Sequence, residues 1–258
     1  MIEFAPQDSI GKPARSAPAR LRVLVPAYFY PAGNGLREWD RLIEAAAHIP
    51  IVAIANPATG PGEKVDPNYQ QVLTRAVRGK VTVIGYVNTD YARRPRADVE
   101  QDIARWVRLY PQINGIFFDL QPSGPEHVGY YQALRRFVRA RLPRRAAALV
   151  ATNPGTLSAP DYVARAATDL VCLFENKEGF PDFRMPPWTR RYPAERFCIL
   201  AYAVSGTETM RRYVTSAREQ GVGTVYVTDA AGENPWNRLP RYWTDEVALV
   251  REANASGR

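Results

Sequence analysis

Ile113-Asn114-Gly115-Ile116-Phe117-Phe118-Asp119 runs directly into Leu120-Gln121-Pro122-Ser123-Gly124. An apolar, aromatic run that stops at a carboxylate before a Pro/Gly-containing turn is the pattern of a buried strand that carries Asp119 to its open end. In α/β enzymes that end is where the chemistry is kept. Asp, Ser and Gly are also ordinary strand-to-helix punctuation, so Asp119 as a cap of the following helix is the alternative reading.

Outward from this run, strand-like and helix-like patterns alternate at a steady interval. Strands are expected at 21–28, 51–55, 81–87, 113–118, 146–151, 170–174, 197–202 and 224–228. Helices are expected at 37–47, 68–77, 98–109, 129–140, 161–167, 209–218 and 242–251, with Ile103, Trp106 and Val107 on one face of the third. A proline-rich stretch at 179–192 replaces or precedes a sixth helix. Eight strands in strict βα alternation predict a single (β/α)8 TIM barrel over residues 21–258, behind a loose N-terminal arm at 1–20.

An open dinucleotide-binding sheet fits less well. Gly33, Gly35 and the Gly60-Pro61-Gly62-Glu63-Lys64 turn do not make G-x-G-x-x-G. The second is no phosphate loop either, because Pro61 removes a backbone donor and Val65 stands where a magnesium-binding hydroxyl belongs. No nucleotide cofactor is implied. His48 and His127 are the only histidines and Cys172 and Cys198 the only cysteines, so no Cys/His metal cluster can be assembled, and buried free thiols are expected.

The chain of 258 residues is 46% hydrophobic, enough for one large core, and its formal charge is +8. Its arginines are scattered and lysine occurs only at 12, 64, 80 and 177, without a basic run interleaved with stacking aromatics. A nucleic-acid partner is therefore not expected. Neither a signal-peptide core nor a membrane-length apolar run is present, so the chain as written reads as soluble and unexported, and a truncated start would hide an export signal; the sequence does not fix the oligomeric state, and a monomer is expected.

In a barrel, the residues just past each strand form a ring around one pocket. Here that ring is Tyr28 and Tyr30, Asn56, Tyr86, Asn88, Thr89, Asp90 and Tyr91, Asp119, Asn153, Glu175, Tyr202, and Thr228 with Asp229. Flat aromatic faces take sugar C–H surfaces, amides and hydroxyls take ring hydroxyls, and carboxylates do acid/base work. Taken singly, each Tyr or Asn is explained by packing or turn chemistry. Taken together they describe a carbohydrate cleft, with Tyr28, Asn56, Tyr86, Thr89, Asp90, Tyr91, Asn153, Tyr202 and Asp229 as candidate substrate-binding residues. Asp119 and Glu175 are the two acids preceded by fully apolar runs, which gives them a route to a raised pKa and makes them the candidate catalytic pair.

Ordered blocks extend the pattern: Val25-Pro26-Ala27-Tyr28-Phe29-Tyr30-Pro31, Ile54-Ala55-Asn56-Pro57-Ala58-Thr59-Gly60, Asp66-Pro67-Asn68-Tyr69, and Gly85-Tyr86-Val87-Asn88-Thr89-Asp90-Tyr91. They continue through Gly115-Ile116-Phe117-Phe118-Asp119, Thr152-Asn153-Pro154-Gly155-Thr156, Phe174-Glu175, Tyr226-Val227-Thr228-Asp229, and Leu239-Pro240 with Tyr242-Trp243. In these blocks the chain resembles the spherulin-4-like glycoside hydrolases, which include enzymes that cut α-1,4-linked N-acetylgalactosamine polymers and are related to the Pel polysaccharide hydrolase domain. The resemblance implies a barrel enzyme acting endo on an amino-sugar polysaccharide. Asp119 would be its nucleophile or stabiliser and Glu175 its acid/base. The family commonly places a second acid directly after the Asp, where this chain has Leu120. The alternative is therefore a non-catalytic polysaccharide-binding barrel weakened at that position.

Overall fold

The computed structural model describes residues 20–142, 147–180 and 182–256. Eight parallel strands close into a barrel in the order β1 to β8: Arg22–Ala27, Ile51–Ala55, Thr82–Asn88, Gly115–Asp119, Leu149–Asn153, Leu170–Asn176, Phe197–Ala201 and Thr224–Val227. The strands are apolar on both faces because one lines the barrel interior and the other lies under helices. The helices are α1 (Asn34–Ala45), α2 (Pro67–Arg78), α3 (Arg96–Leu109), α4 (Val128–Arg141), α5 (Asp161–Ala164), α6 (Thr207–Glu219) and α7 (Trp243–Ala255). The expected arm at 1–20 and the expected start of the fifth strand at 146 fall, apart from Arg20, outside the described residues.

Local sequence explains how several elements start and dock. Asp66 caps α2 by accepting from the Asn68 and Tyr69 amides at 2.9 and 3.1 Å, and Pro67 occupies the first helical position, where its missing N–H costs nothing. Helix α3 lays Trp106 across β3, where the indole donates to the Tyr86 carbonyl at 2.8 Å. A Cβ on Gly85 would come within 2.5 Å of that indole, so the close approach requires glycine.

The strand-to-helix alternation breaks after β6. Pro186, Pro187 and Pro193 lack the donors of a helix interior, and two short 3-10 turns, Pro187–Arg191 and Ala194–Arg196, lead into β7 instead. Trp188 does the covering a helix would do: its ring meets Phe197 at 5.6 Å, over a small cluster of Val163, Val171, Leu173 and Phe197. The expected helix at 161–167 is also shorter, a single turn. At the closure, β8 pairs with β1 only through Arg22–Thr224 and Val23–Val225. Beyond that point the Val227 amide donates at 3.0 Å to Glu246 of α7, a fully buried carboxyl group.

Candidate active site

Three strand ends bring the central group together. Asp119 ends β4, Asn153 ends β5 and Glu175 lies at the end of β6. The Asn153 amide nitrogen donates to Asp119 Oδ1 at 2.8 Å and to Glu175 Oε2 at 2.5 Å, which holds those oxygens at most about 5.3 Å apart, the sum of the two legs. The other Asp119 oxygen accepts from the Tyr86 hydroxyl at 2.8 Å. Tyr28 packs edge-on against Tyr86, ring centroids 5.8 Å apart.

Asn153 is itself held. Its Oδ1 accepts from the Gly155 amide at 2.9 Å, while the Gly155 carbonyl accepts from the Glu175 amide at 2.9 Å. Gly155 sits at φ 66°, a left-handed turn that places no side chain between Asn153 and Glu175. The Asn-Pro-Gly sequence is the signal that marks this turn.

Glu175 reaches the cleft through a break in strand pairing. Val171 and Leu173 face outward into the cluster under Trp188, and strict alternation would send Glu175 the same way. The β6–β7 register slips instead: Cys172 pairs with Cys198 and Phe174 with Ile199. The extra residue reverses the facing and turns Glu175 toward Asn153. Burial then pushes the Glu175 carboxyl up to about 7; the Asn153 hydrogen bond pulls it down and the nearby Asp119 charge adds to the rise. Burial, followed by the charge of Asp119, also drives the Tyr28 and Tyr86 phenols well above their ordinary range, so both remain neutral hydrogen-bonding groups.

The remaining ring residues divide. Tyr91 is exposed on the rim, on a left-handed turn of Asp90, Tyr91 and Ala92 at φ 46°, 55° and 63°, with the Arg93 guanidinium 5.5 Å from its ring centroid. Tyr202 is half-buried, edge-on to Trp236 at 5.7 Å; Trp236, in the loop after β8, is an aromatic that sequence reading missed because no strand-end position marks it. Asn56 spends its side-chain oxygen on the Gly60 amide at 2.8 Å, closing its own turn. Asp229 is pinned by Arg238 at 2.8 Å and by the Arg241 amide at 3.0 Å. Its pKa is lowered although partial burial acts to raise it, because these donors outweigh the burial.

Thr89 is a correction. It is fully buried and has no surface to offer a sugar. Its hydroxyl lies 2.7 Å from the Asp119 carbonyl, 3.0 Å from the Leu120 carbonyl and 2.6 Å from the Tyr131 hydroxyl, so it braces the backbone that carries Asp119. The four carboxylates of the ring divide into two kinds. Asp90 is held down by its hydrogen bond to Arg93 and Asp229 by its arginines, whereas Asp119 and Glu175 form no ion pair among the described residues. Leu120 lies past the end of β4 at φ 54°, so strand alternation does not govern it, and its carbonyl accepts from the Tyr91 amide at 2.7 Å. Among the described residues no group of three or more His, Cys, Asp or Glu could hold a metal ion, and both cysteines are buried and free.

A closed parallel barrel with carboxylates, amides and aromatic rings at its C-terminal mouth has the architecture of the glycoside-hydrolase barrels. The chain matches the Spherulation-specific family 4 over residues 22–250, and it belongs to that family. It is 28% identical to Spherulin-4 of Physarum polycephalum over 245 residues, 91% of this chain and 71% of that protein. Sph3 of Aspergillus clavatus, solved in complex with GalNAc, superposes with a TM-score of 0.76 at 24% identity, covering 90% of this chain and 98% of its own. XEG5A, a GH5 xyloglucan-specific endo-beta-1,4-glucanase from a metagenomic library solved with cellotriose, superposes at 0.53 and 13% identity, covering 92% and 97%. The two structural likenesses are likenesses of fold.

Proposed function

We propose that the protein is a retaining, endo-acting glycoside hydrolase for an N-acetylgalactosamine-containing polysaccharide. The observation that carries this reading is the shared Asn153 amide, which brings one oxygen of Asp119 and one of Glu175 to within about 5.3 Å of each other, inside the spacing an inverting pair needs. Retaining pairs stand about 5 to 5.5 Å apart, whereas inverting pairs need about 6.5 to 9.5 Å to admit a water between sugar and base. Asp119, oriented through both oxygens by Tyr86 and Asn153, attacks the anomeric carbon. Glu175, raised to about 7 by burial, is protonated often enough near neutrality to deliver its proton to the departing glycosidic oxygen. It then takes a proton from the water that opens the glycosyl-enzyme ester.

The amino sugar is supported by the GalNAc bound to Sph3, a structural relative. The charge pattern favours N-acetylated, neutral units over deacetylated ones. With Asp90 and Asp229 paired to arginines, the cleft has few free carboxylates to offset the repulsion of a chain of net charge +8 for a cationic polymer.

The test is reducing-end release from N-acetylgalactosamine oligomers. Asp119→Asn and Glu175→Gln are each expected to lower the rate by about 10² to 10⁴. Wild-type rates in both variants would sink the assignment. Oligosaccharide binding by the wild-type protein without any reducing-end release would favour the binding-only alternative raised by Leu120.

A further inference from the structure

The end of the barrel opposite the cleft carries a second concentration of chemistry. A cavity of about 330 Å³ opens among the first residues of β1, β2, β3 and β5, with Arg22, Lys80, Arg139 and Asp169 in its wall. Arg135 and Arg139 reach Asp169 from α4 at 2.7 and 3.0 Å, and Arg196 lies close enough to feel the charges of all three. Among the described residues, the cavity wall and the arginines behind it thus hold five cations against the one carboxylate of Asp169. Glu195, whose charge acts on Arg22, reduces the excess from four to three.

Asp169 is engaged through both oxygens by groups other than Arg22, Arg196 and Lys80. Its Oδ1 accepts from Arg135 Nε and Nη2 and from Arg139 Nη2, and its Oδ2 takes the Val150 amide at 3.0 Å. Arg22 and Arg196 find only neutral acceptors: the Glu195 carbonyl and Thr224 hydroxyl for the first, the Thr168 carbonyl for the second. Lys80 forms no ion pair among the described residues. Two guanidinium nitrogens, Arg139 Nε and Arg196 Nε, are buried with no hydrogen-bond partner. Buried donors left unmade are costly, and orphans on charged groups are costlier. Burial also depresses the Arg22 and Arg196 guanidinium groups, the mark of positive charge without enough compensation.

We propose that this basic cavity at the N-terminal end of the barrel binds a doubly charged tetrahedral oxyanion, either free phosphate or a phosphomonoester. Such an anion offers several acceptors to arginine forks and neutralises charge that the protein itself leaves unpaired. The site stands apart from the cleft and does not depend on the hydrolase reading.

The experiment is thermal unfolding of the full chain in 0 to 10 mM phosphate, with ionic strength held constant by chloride, alongside isothermal titration with phosphate and with glucose 6-phosphate. The low ceiling keeps general salting effects of phosphate small. A saturable rise in Tm of about 4 °C or more is expected. Lys80→Asn is the companion variant. Lys80 is exposed at φ 69°, a conformation asparagine tolerates, so the fold in chloride is unchanged while phosphate affinity falls about tenfold. Arg139→Gln should weaken binding further. No saturable response to either phosphate or glucose 6-phosphate beyond that to chloride, or undiminished affinity in Lys80→Asn for whichever of the two binds, would overturn the proposal. Heat on titration with glucose 6-phosphate but not with phosphate would assign the site to the ester, and the reverse to the free ion.

Discussion

Asn153 is the residue on which the proposed chemistry turns, because one amide group fixes two carboxylates and also restrains the pKa of one of them. In the proposed mechanism Glu175 acts in its protonated form, so activity should fall as pH rises past about 7. The Asn153 hydrogen bond lowers that pKa, so Asn153→Ala should shift the alkaline limb of the kcat profile upward even while the rate drops. A profile that keeps its midpoint would show that Asn153 does not act on Glu175. The stereochemistry belongs to the same scale. NMR of the first-formed reducing end should show the anomer of the substrate if the proposed retaining mechanism holds, and the opposite anomer would overturn it.

At the scale of elements, two loops and one strand irregularity hold the cleft. The β3–α3 and β4–α4 connections are both left-handed, at Asp90 to Ala92 and at Leu120, and they are joined through the Tyr91 amide and the Thr89 hydroxyl. Such conformations are costly for residues other than glycine and persist where surrounding contacts hold them. Thr89→Val removes the brace and leaves buried acceptors unmet. It should cost about 1 to 3 kcal/mol, read as a lower denaturation midpoint at constant m-value, and should also lower activity by loosening Asp119. The closing helix supplies a different prediction. Burial raises Glu246 from 4.5 to about 8, so between those values the folded protein keeps a proton that the unfolded chain releases, and stability falls as pH rises through that window. Glu246→Gln, which keeps an acceptor for Val227, should match wild type near pH 5 and exceed it at pH 8 in denaturant melts.

Across the whole molecule, the net charge of +8 is unevenly compensated. The cleft's outer carboxylates are paired with arginines, while the opposite end of the barrel holds more cations than one aspartate can satisfy. Long-range repulsion should therefore slow attack on a partly deacetylated galactosamine polymer at low salt and relax as salt is added, whereas rates on the neutral polymer should barely change. Turnover measured from about 10 mM to about 500 mM salt on both polymers checks this; parallel salt responses would show that charge does not govern substrate choice. No helix among the described residues is long and apolar enough to cross a membrane.

The barrel itself was legible in the sequence, because each βα unit announces itself locally: apolar runs of strand length, amphipathic helices, and Asp-Pro or Asn-Pro-Gly punctuation between them. So was the position of Asp119, since a strand end in a parallel barrel has only one mouth to face. What local pattern could not supply was facing and partnership. An apolar run buried on both sides has no alternation to read, so the slip at Cys172 to Phe174 that aims Glu175 inward is invisible until β6 pairs with β7. Thr89 looked like a cleft residue because its brace, Tyr131, comes from elsewhere along the chain, and only tertiary packing reveals that its hydroxyl is already spent; Asp229, likewise, shows its arginine partner Arg238 only in the folded chain. The apolar run ending at Asp119 thus determined where chemistry could stand, and long-range contacts decided which side chains were left free to perform it.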